Sequence, residues 1–312
     1  MSSDNVTYTI SYGKAQVPLY RVYAHPLRDI QPVPESAFVG RENVVFALNV
    51  DMEVLGDDFL PAYTRGDNSR VIATDSMKNF ILRHALTFDG STIEGFLATL
   101  GRAFMERYAI VKGLRLVASE MPFIAASVPG EGRFVESSVL FKRAHDDFST
   151  AELSFERVGE QVIATGHSCG RVGLQLLKVT GSSFTRFVRD AYTTLPERVD
   201  RPLYIYLDLS WKYRDIADLL AVDRGRYVPA EQVRDVVQVV FHEFVSESIQ
   251  HLVHEMGQRL LTRFPQLAEV AFRAQNRTRD PFGEAEDDPK VKVYSDPFPA
   301  YGMINLTIRR TE

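Results

Sequence analysis

A period-two alternation is written twice in this chain, each time ahead of amphipathic helical stretches, and that arrangement limits the fold more than any other feature. Phe46, Leu48, Val50, Met52 and Val54 alternate with Val45, Ala47, Asn49, Asp51 and Glu53. Leu203, Ile205, Leu207, Leu209 and Trp211 alternate likewise with Tyr204, Tyr206, Asp208, Ser210 and Lys212. Successive strand residues point to opposite faces, so each run predicts a half-buried strand. After the first, Ser91 and Glu94 fit a capping box, and Ile93, Phe96, Leu97, Leu100, Phe104 and Tyr108 form one helical stripe. After the second, Pro229 suits a first helical position ahead of Val233, Val236, Val237, Val240 and Phe244. Ser246 or Ser248 caps a further helix carrying Ile249, Leu252, Val253, Met256 and Leu260. Arg107-Tyr108 precedes Leu114 and Leu116 at the spacing at which Arg263-Phe264 precedes Val270 and Phe272. The order strand–strand–helix–helix–strand–strand thus recurs. It predicts an internally duplicated α+β chain, with antiparallel sheets covered on one face by helices.

With 312 residues the chain has room for two domains. The polar stretch Lys142 to Thr150 places them at 1–148 and 149–312. Val158-Gly159-Glu160-Gln161 reads as a two-residue hairpin, and Gly283 to Asp288 as a solvated acidic loop. Lys plus Arg number 36 against 41 Asp plus Glu, a net charge of −5, which argues against binding nucleic acid by bulk charge. No apolar run approaches the ~20 residues that span a bilayer. The first residues lack a basic region followed by an apolar core, and the last are not Ser-Lys-Leu, so a cytoplasmic location is expected. A single cysteine, Cys169, excludes an intrachain disulfide and a multi-cysteine metal set. His242, His251 and His254, with Glu243 and Glu255, lack the HExxH spacing, so no metal site is assigned.

Chemistry concentrates between Leu174 and Arg201, where Phe184, Leu195 and Arg201 follow an apolar strand ending at Lys178. An aromatic face beside a guanidinium suits a flat, anionic heteroaromatic ligand: the ring stacks on the Phe while the rigid fork bonds two acceptors. Taken alone, Lys14 in ISYGK is a solvated lysine and Thr74, before Asp75, a helix cap. Gln250 is then a polar residue at a helix start, and Asn276 a turn residue after a strand.

The segment resembles the long motif of the urate oxidases (uricases). Leu174, Leu176, Leu177, Lys178, Thr180, Ser182, Phe184, Phe187, Tyr192, Leu195 and Arg201 fill its constrained places. The likeness extends from Ser11-Tyr12-Gly13-Lys14, through Thr74-Asp75-Ser76-Met77-Lys78-Asn79, to Tyr301-Gly302. It implies two tandem T-fold domains, each a four-stranded antiparallel sheet with two helices on one face. Two such chains would form a β-barrel tunnel, and two barrels a homotetramer. The implied reaction converts urate, dioxygen and water to 5-hydroxyisourate and hydrogen peroxide with no cofactor. Lys14 and Thr74 would be the catalytic proton relay; Thr74, Asp75, Phe184, Leu195, Arg201, Ile249 (through its backbone) and Gln250 would contact substrate. Asn276 would hold oxygen or water above the ring. In the family such sites form between subunits, Lys14, Thr74 and Asp75 coming from one chain and Phe184, Arg201, Ile249, Gln250 and Asn276 from its neighbour. Where many members read Asn-x-His, this chain reads Asn276-Arg277-Thr278, which leaves the third relay member unassigned. Two other readings stand beside this one: a purine-binding T-fold protein whose chemistry has decayed, and a zinc-dependent enzyme of the pterin or cyclohydrolase type.

Overall fold

The computed structural model describes residues 6–144, 147–222, 225–295 and 299–311. Two compact units emerge: Met1–Gln31, Val39–Cys169 and Asp215–Tyr227 in the first, Pro32–Phe38, Gly170–Arg214 and Val228–Glu312 in the second. The architecture is α+β, antiparallel strands backed by few helices, and neither unit closes into a barrel.

In the first unit the elements run β1 (Ser11–Val22), β2 (Val45–Leu55), α1 (Leu60–Arg65), α2 (Thr74–Thr87), α3 (Ile93–Arg107), β3 (Gly113–Glu120), β4 (Phe123–Pro129), β5 (Phe134–Arg143) and β6 (Phe148–Val158). β1, β2, β3 and β6 lie side by side and antiparallel, while β4 and β5 pair with each other. β1 is the outer strand, which lets it hold Pro18, a residue with no N–H for a second ladder. The apolar set from Phe46 to Val54 is buried, as alternation predicts, beneath Met77 and Ile81 of α2 and the stripe of α3. On the open face Arg115 grips Glu152 with two hydrogen bonds of 2.7 and 2.8 Å, an exposed pair worth little to stability.

The expected 148/149 boundary falls at the start of β6, which pairs with β3. After β6 comes the turn from Val158 to Gln161, where Gly159 takes φ 62°. His145 and Asp146, inside the polar stretch used to place that boundary, lie outside the described residues. β7 (Gln161–Lys178) follows and contributes residues to both units.

In the second unit come β8 (Leu203–Tyr213), α4 (Ala230–Glu243), α5 (Ile249–Arg263), β9 (Leu267–Asn276), β10 (Gly283–Glu284), β11 (Lys292–Val293) and β12 (Gly302–Arg309). β7, β8, β9 and β12 neighbour one another in that order, with β12 outermost. The apolar side chains of β8 from Leu203 to Trp211 are buried with those of α4, α5 and β9. Gly283 and Glu284, expected in an open loop, form a short ladder with β11, closed by a Lys292–Glu284 ion pair of 2.9 Å. No helix among the described residues is long and apolar enough to cross a membrane.

The repeat seen in sequence is reproduced in detail. α3 and α5 are each 15 residues long and sit 156 positions apart: Ile93 and Ile249 begin them, Arg107 and Arg263 end them. Their C-caps, Tyr108 at φ −119°, ψ 84° and Phe264 at φ −119°, ψ 82°, close on Phe104 and Leu260 in the same way. Arg157 reaches the carbonyls of Met105 and Val111, and Arg310 reaches those of Leu261 and Leu267, which lie 156 positions on.

The cap of α3 differs from expectation, while that of α5 is one of the two serines expected. Thr92, one residue beyond Ser91, caps α3 by accepting the Gly95 N–H at 3.1 Å, and Ser248 caps α5 by accepting that of His251 at 3.1 Å. Pro229 sits just before α4 rather than in its first position. Glu94 takes no part in capping: it is buried and accepts a hydrogen bond of 3.1 Å from the Tyr227 hydroxyl. Burial raises its carboxyl above the ordinary glutamate range, and the buried Cys169 thiol beside it is likewise pushed up. A raised carboxyl stabilises the fold fully below the ordinary glutamate range and less as pH climbs through the folded value. Glu94→Gln keeps an acceptor for Tyr227 and cannot ionise. Its melting temperature, measured against wild type, should therefore gain with rising pH across that window; a difference independent of pH would clear Glu94 of this role.

Candidate active site

One group of candidate residues is assembled on β1 and the start of α2, in the first unit. Tyr12 and Lys14, two apart on β1, lie opposite Val54 and Met52 and so share the helix-covered face. The Tyr12 hydroxyl accepts the Ile72 N–H at 2.8 Å, two residues before Thr74, and its ring packs edge-on against Phe59 at 4.7 Å. This brings Lys14 near the Thr74–Asp75 turn, close enough for its charge to help hold the Asp75 carboxyl below the usual range. The larger cause of that depression is the hydrogen bond from Lys78, at 2.7 Å. Thr74 is the first residue of α2 and not its cap; Ala73 holds the cap position and offers no side-chain bond. The simple account of Thr74 as a cap therefore fails, and its hydroxyl is left for other work. Tyr12 escaped the sequence reading, although its two-residue spacing from Lys14 marks it as sharing that face.

A second group lies in the second unit, where the motif residues prove to be a tether. Lys178 donates to the Phe244 carbonyl at 2.9 Å, and the Ser183 N–H to that of Ser246 at 2.8 Å. Arg186 meets Glu247 at 3.0 Å. Asp200 accepts from the Thr180 hydroxyl at 2.6 Å and the Gly181 N–H at 2.7 Å, while Arg201 N–H donates to Ser182 at 2.8 Å. Residues 182–184 are thereby stitched between residues 198–201 and the approach to α5. Phe184 stacks on Phe187 at 4.9 Å, and the Arg201 guanidinium stands over Phe184 at 5.4 Å from its centroid. Burial lowers the Arg201 pKa from the usual arginine value, opposed by Asp280 and reinforced by Arg198, and its Nε is buried without a hydrogen-bond partner. Arg201 remains a cation at neutral pH and is held ready for an acceptor.

At the start of α5 the Ile249 side chain is buried, so only its backbone can meet a ligand. Gln250 is exposed, and its counterpart 156 positions earlier is Glu94, the carboxyl already occupied by Tyr227. First-turn N–H groups have no intrahelical partners. Ser248 satisfies those of His251 and Leu252, which leaves the Ile249 and Gln250 N–H groups as the helix's outward donors. Asn276 ends β9, and Leu195 is exposed on the loop between Phe184 and Arg201. A cleft of about 850 Å³ opens beside Arg201, lined by Arg277, Arg279, Lys290 and Lys292 as well as Asp200. Its excess of positive charge favours an anionic ligand. Phe184, Leu195, Ile249, Gln250 and Asn276 are not among the residues that line it.

Comparison with known proteins shows the family. The Uricase family model matches residues 167–302. A uricase of Halalkalicoccus jeotgali is 44% identical over 305 residues, covering 97% of this chain and 99% of that protein. The chain belongs to the uricase family. Among uricase-family structures, that of the Bacillus sp. TB-90 urate oxidase matches with a TM-score of 0.94 at 42% identity, covering 97% of this chain and 100% of that one. The uric acid degradation bifunctional protein PucL of Bacillus subtilis (strain 168) is 44% identical, and this chain spans 62% of its length.

Thr278 stands where the resemblance implied a histidine. Its hydroxyl accepts the Tyr204 N–H at 2.8 Å, and its own N–H donates to the Asn276 side chain at 3.0 Å. Thr278 thus fastens the start of β8 to the end of β9. Arg277 lies over the rings of Tyr206 and Tyr301, at 4.9 and 4.1 Å.

Proposed function

We propose that this chain is a urate oxidase, converting urate, dioxygen and water to 5-hydroxyisourate and hydrogen peroxide with neither metal nor flavin. The observation that supports this reading is the Tyr12–Ile72 hydrogen bond, which ties the strand carrying Lys14 to the chain just before Thr74, whose hydroxyl is not consumed in capping. Urate is electron-rich enough to reduce oxygen once a ring proton has left, so the protein's work is to bind, orient and deprotonate. Lys14 takes the proton through Thr74; Thr74 and Asp75 also contact the substrate. Phe184 lies under the ring, Arg201 forks one edge and the Gln250 amide offers a donor and an acceptor to another. The Ile249 N–H, Leu195 and Asn276 complete the cradle, Asn276 holding the oxygen or water species.

The assembly we propose is the family's: tandem T-folds, 1–148 and 149–312, pairing into a barrel tunnel and then a homotetramer in the cytoplasm. The outer strands β1 and β12, and the exposed Val188, Tyr192 and Val199, supply surface for another copy to cover. Each site is shared, with Lys14, Thr74 and Asp75 from one subunit and Phe184, Arg201, Ile249, Gln250 and Asn276 from the next. Mixing Lys14→Ala with Arg201→Ala subunits should therefore restore activity, and no recovery despite proven exchange would count against sharing.

The deciding experiment treats purified protein with chelator and follows urate's ultraviolet band together with peroxide release. Loss of the band with matching peroxide supports the reading. Urate binding without oxygen uptake would favour a purine-binding protein of decayed chemistry, and activity that returns only with added metal would favour the zinc-type enzyme. Arg201→Lys, which keeps the charge but loses the planar fork, should raise KM tenfold or more, about 1.4 kcal/mol; unchanged KM would remove Arg201 from the site.

A further inference from the structure

Lys14 faces α2 only because β1 breaks its own alternation. After Lys14 the ladder resumes with Val17 opposite Val50 and Leu19 opposite Leu48; before it, Lys14 meets Met52 and Tyr12 meets Val54. All four β2 partners are buried on the covered face. Ala15 and Gln16 therefore stand against the single residue Asp51, the two-against-one pattern of a β-bulge. Were β1 regular from Leu19 and Val17 downward, Ala15 and Gly13 would take the covered face and Lys14 the open one.

The bulge has a visible brace. Gln16 sits at φ 55°, in the left-handed region that disfavours a side chain, and its N–H donates to the Asp51 carboxylate at 2.6 Å. Asp51 is the β2 residue facing the bulge, on the open side of the strand. Among the described residues it bonds neither Thr74 nor the motif segment.

We propose that Asp51 is a positioning residue for the reaction: by holding the Ala15–Gln16 bulge it fixes the phase of β1 that presents Lys14 to Thr74. This rests on the urate oxidase reading, in which Lys14 is the base. It adds a determinant outside the substrate cradle.

The test compares Lys14→Ala, Asp51→Ala, Asp51→Asn and the double variant Asp51→Ala with Gln16→Gly, in the full chain. Turnover is read as oxygen uptake across pH, urate affinity by anaerobic equilibrium dialysis and folding by thermal melting. Misplacing a catalytic group by an ångström costs roughly 100-fold, so Asp51→Ala should lower kcat by about 10- to 100-fold with anaerobic affinity unchanged. Its pH–rate profile should lose the same limb as that of Lys14→Ala. Asp51→Asn, which keeps an oxygen for the Gln16 N–H, should recover most of the turnover. Gln16→Gly, free to adopt positive φ unaided, should restore part of it in the double variant. Wild-type kcat in Asp51→Ala beside an inactive Lys14→Ala overturns the positioning role alone. Full turnover in Lys14→Ala overturns the assignment of the base and the proposal with it. If Asp51→Ala folds poorly, a folded Asp51→Asn as inactive as Lys14→Ala overturns the bulge-holding role, and an active one supports it.

Discussion

Replacing Lys14 by methionine should cut kcat by roughly 10² to 10⁴, the range in which a positioned acid–base group contributes. Methionine preserves much of the length and apolar stem while removing the amine. Removing the amine removes the base, so the variant's residual rate should lack the limb of the pH–rate profile that the base gives the wild type. Anaerobic urate binding should persist, because the stacking ring and the fork belong to Phe184 and Arg201 in the other group of residues. The discriminating pair of numbers is thus kcat against anaerobic affinity. Turnover within threefold of wild type would remove Lys14 from the chemistry, and a parallel loss of affinity would recast it as a substrate contact. Thr74→Val, which deletes the hydroxyl and keeps the shape, should reproduce the Lys14 phenotype if the two form one relay.

Gly13→Ala should destabilise the protein by on the order of 3 kcal/mol and remove most activity, although one methyl is the whole change. A Cβ at Gly13 would sit 1.9 Å from the Met52 carbonyl oxygen and 2.9 Å from its carbonyl carbon. Those are backbone atoms of the facing strand, so no side-chain rotation relieves the clash. β1 must withdraw from β2 just where Lys14 follows, so ladder hydrogen bonds are lost and the amine is displaced together. Denaturant titration should show the midpoint falling, with kcat measured on protein still folded falling as well. Gly166→Ala on β7 is the control: its Cβ would meet Ser154 at an ordinary 3.6 Å, and it should be close to neutral. If Gly13→Ala proves as benign as the control, β1 has slack that the observed ladder does not show.

Much of this was legible in the residues, because period and repetition survive as pattern. The strands of Phe46 to Val54 and Leu203 to Trp211, the stripes of α3 and α5, and the paired dipeptides at their ends follow from which side chains must leave water. Family membership was equally legible in the run from Leu174 to Arg201. The cap of α3 was not. Ser91 and Thr92 offer the same hydroxyl one residue apart, and only the approach of the chain decides which accepts the Gly95 N–H. Nor was the pairing of β6 with β3, a choice settled by ladder partners far away in sequence.

Alternation, duplication and the motif's residue types were set by the chain alone, since each is a local matter of which groups avoid water and which cannot. What the tertiary structure decided was the purpose of those residues. Thr180, Ser182 and Asp200 turned out to be stitching, Thr278 a fastener between β8 and β9, and Lys14 a group turned to the covered face by a bulge opposite Asp51. The physical reason is that a side chain's partner, and even the face on which it lies, depends on strand register and hydrogen-bond closure across long loops. Those are properties of neighbours in space, which a linear order of residues does not contain.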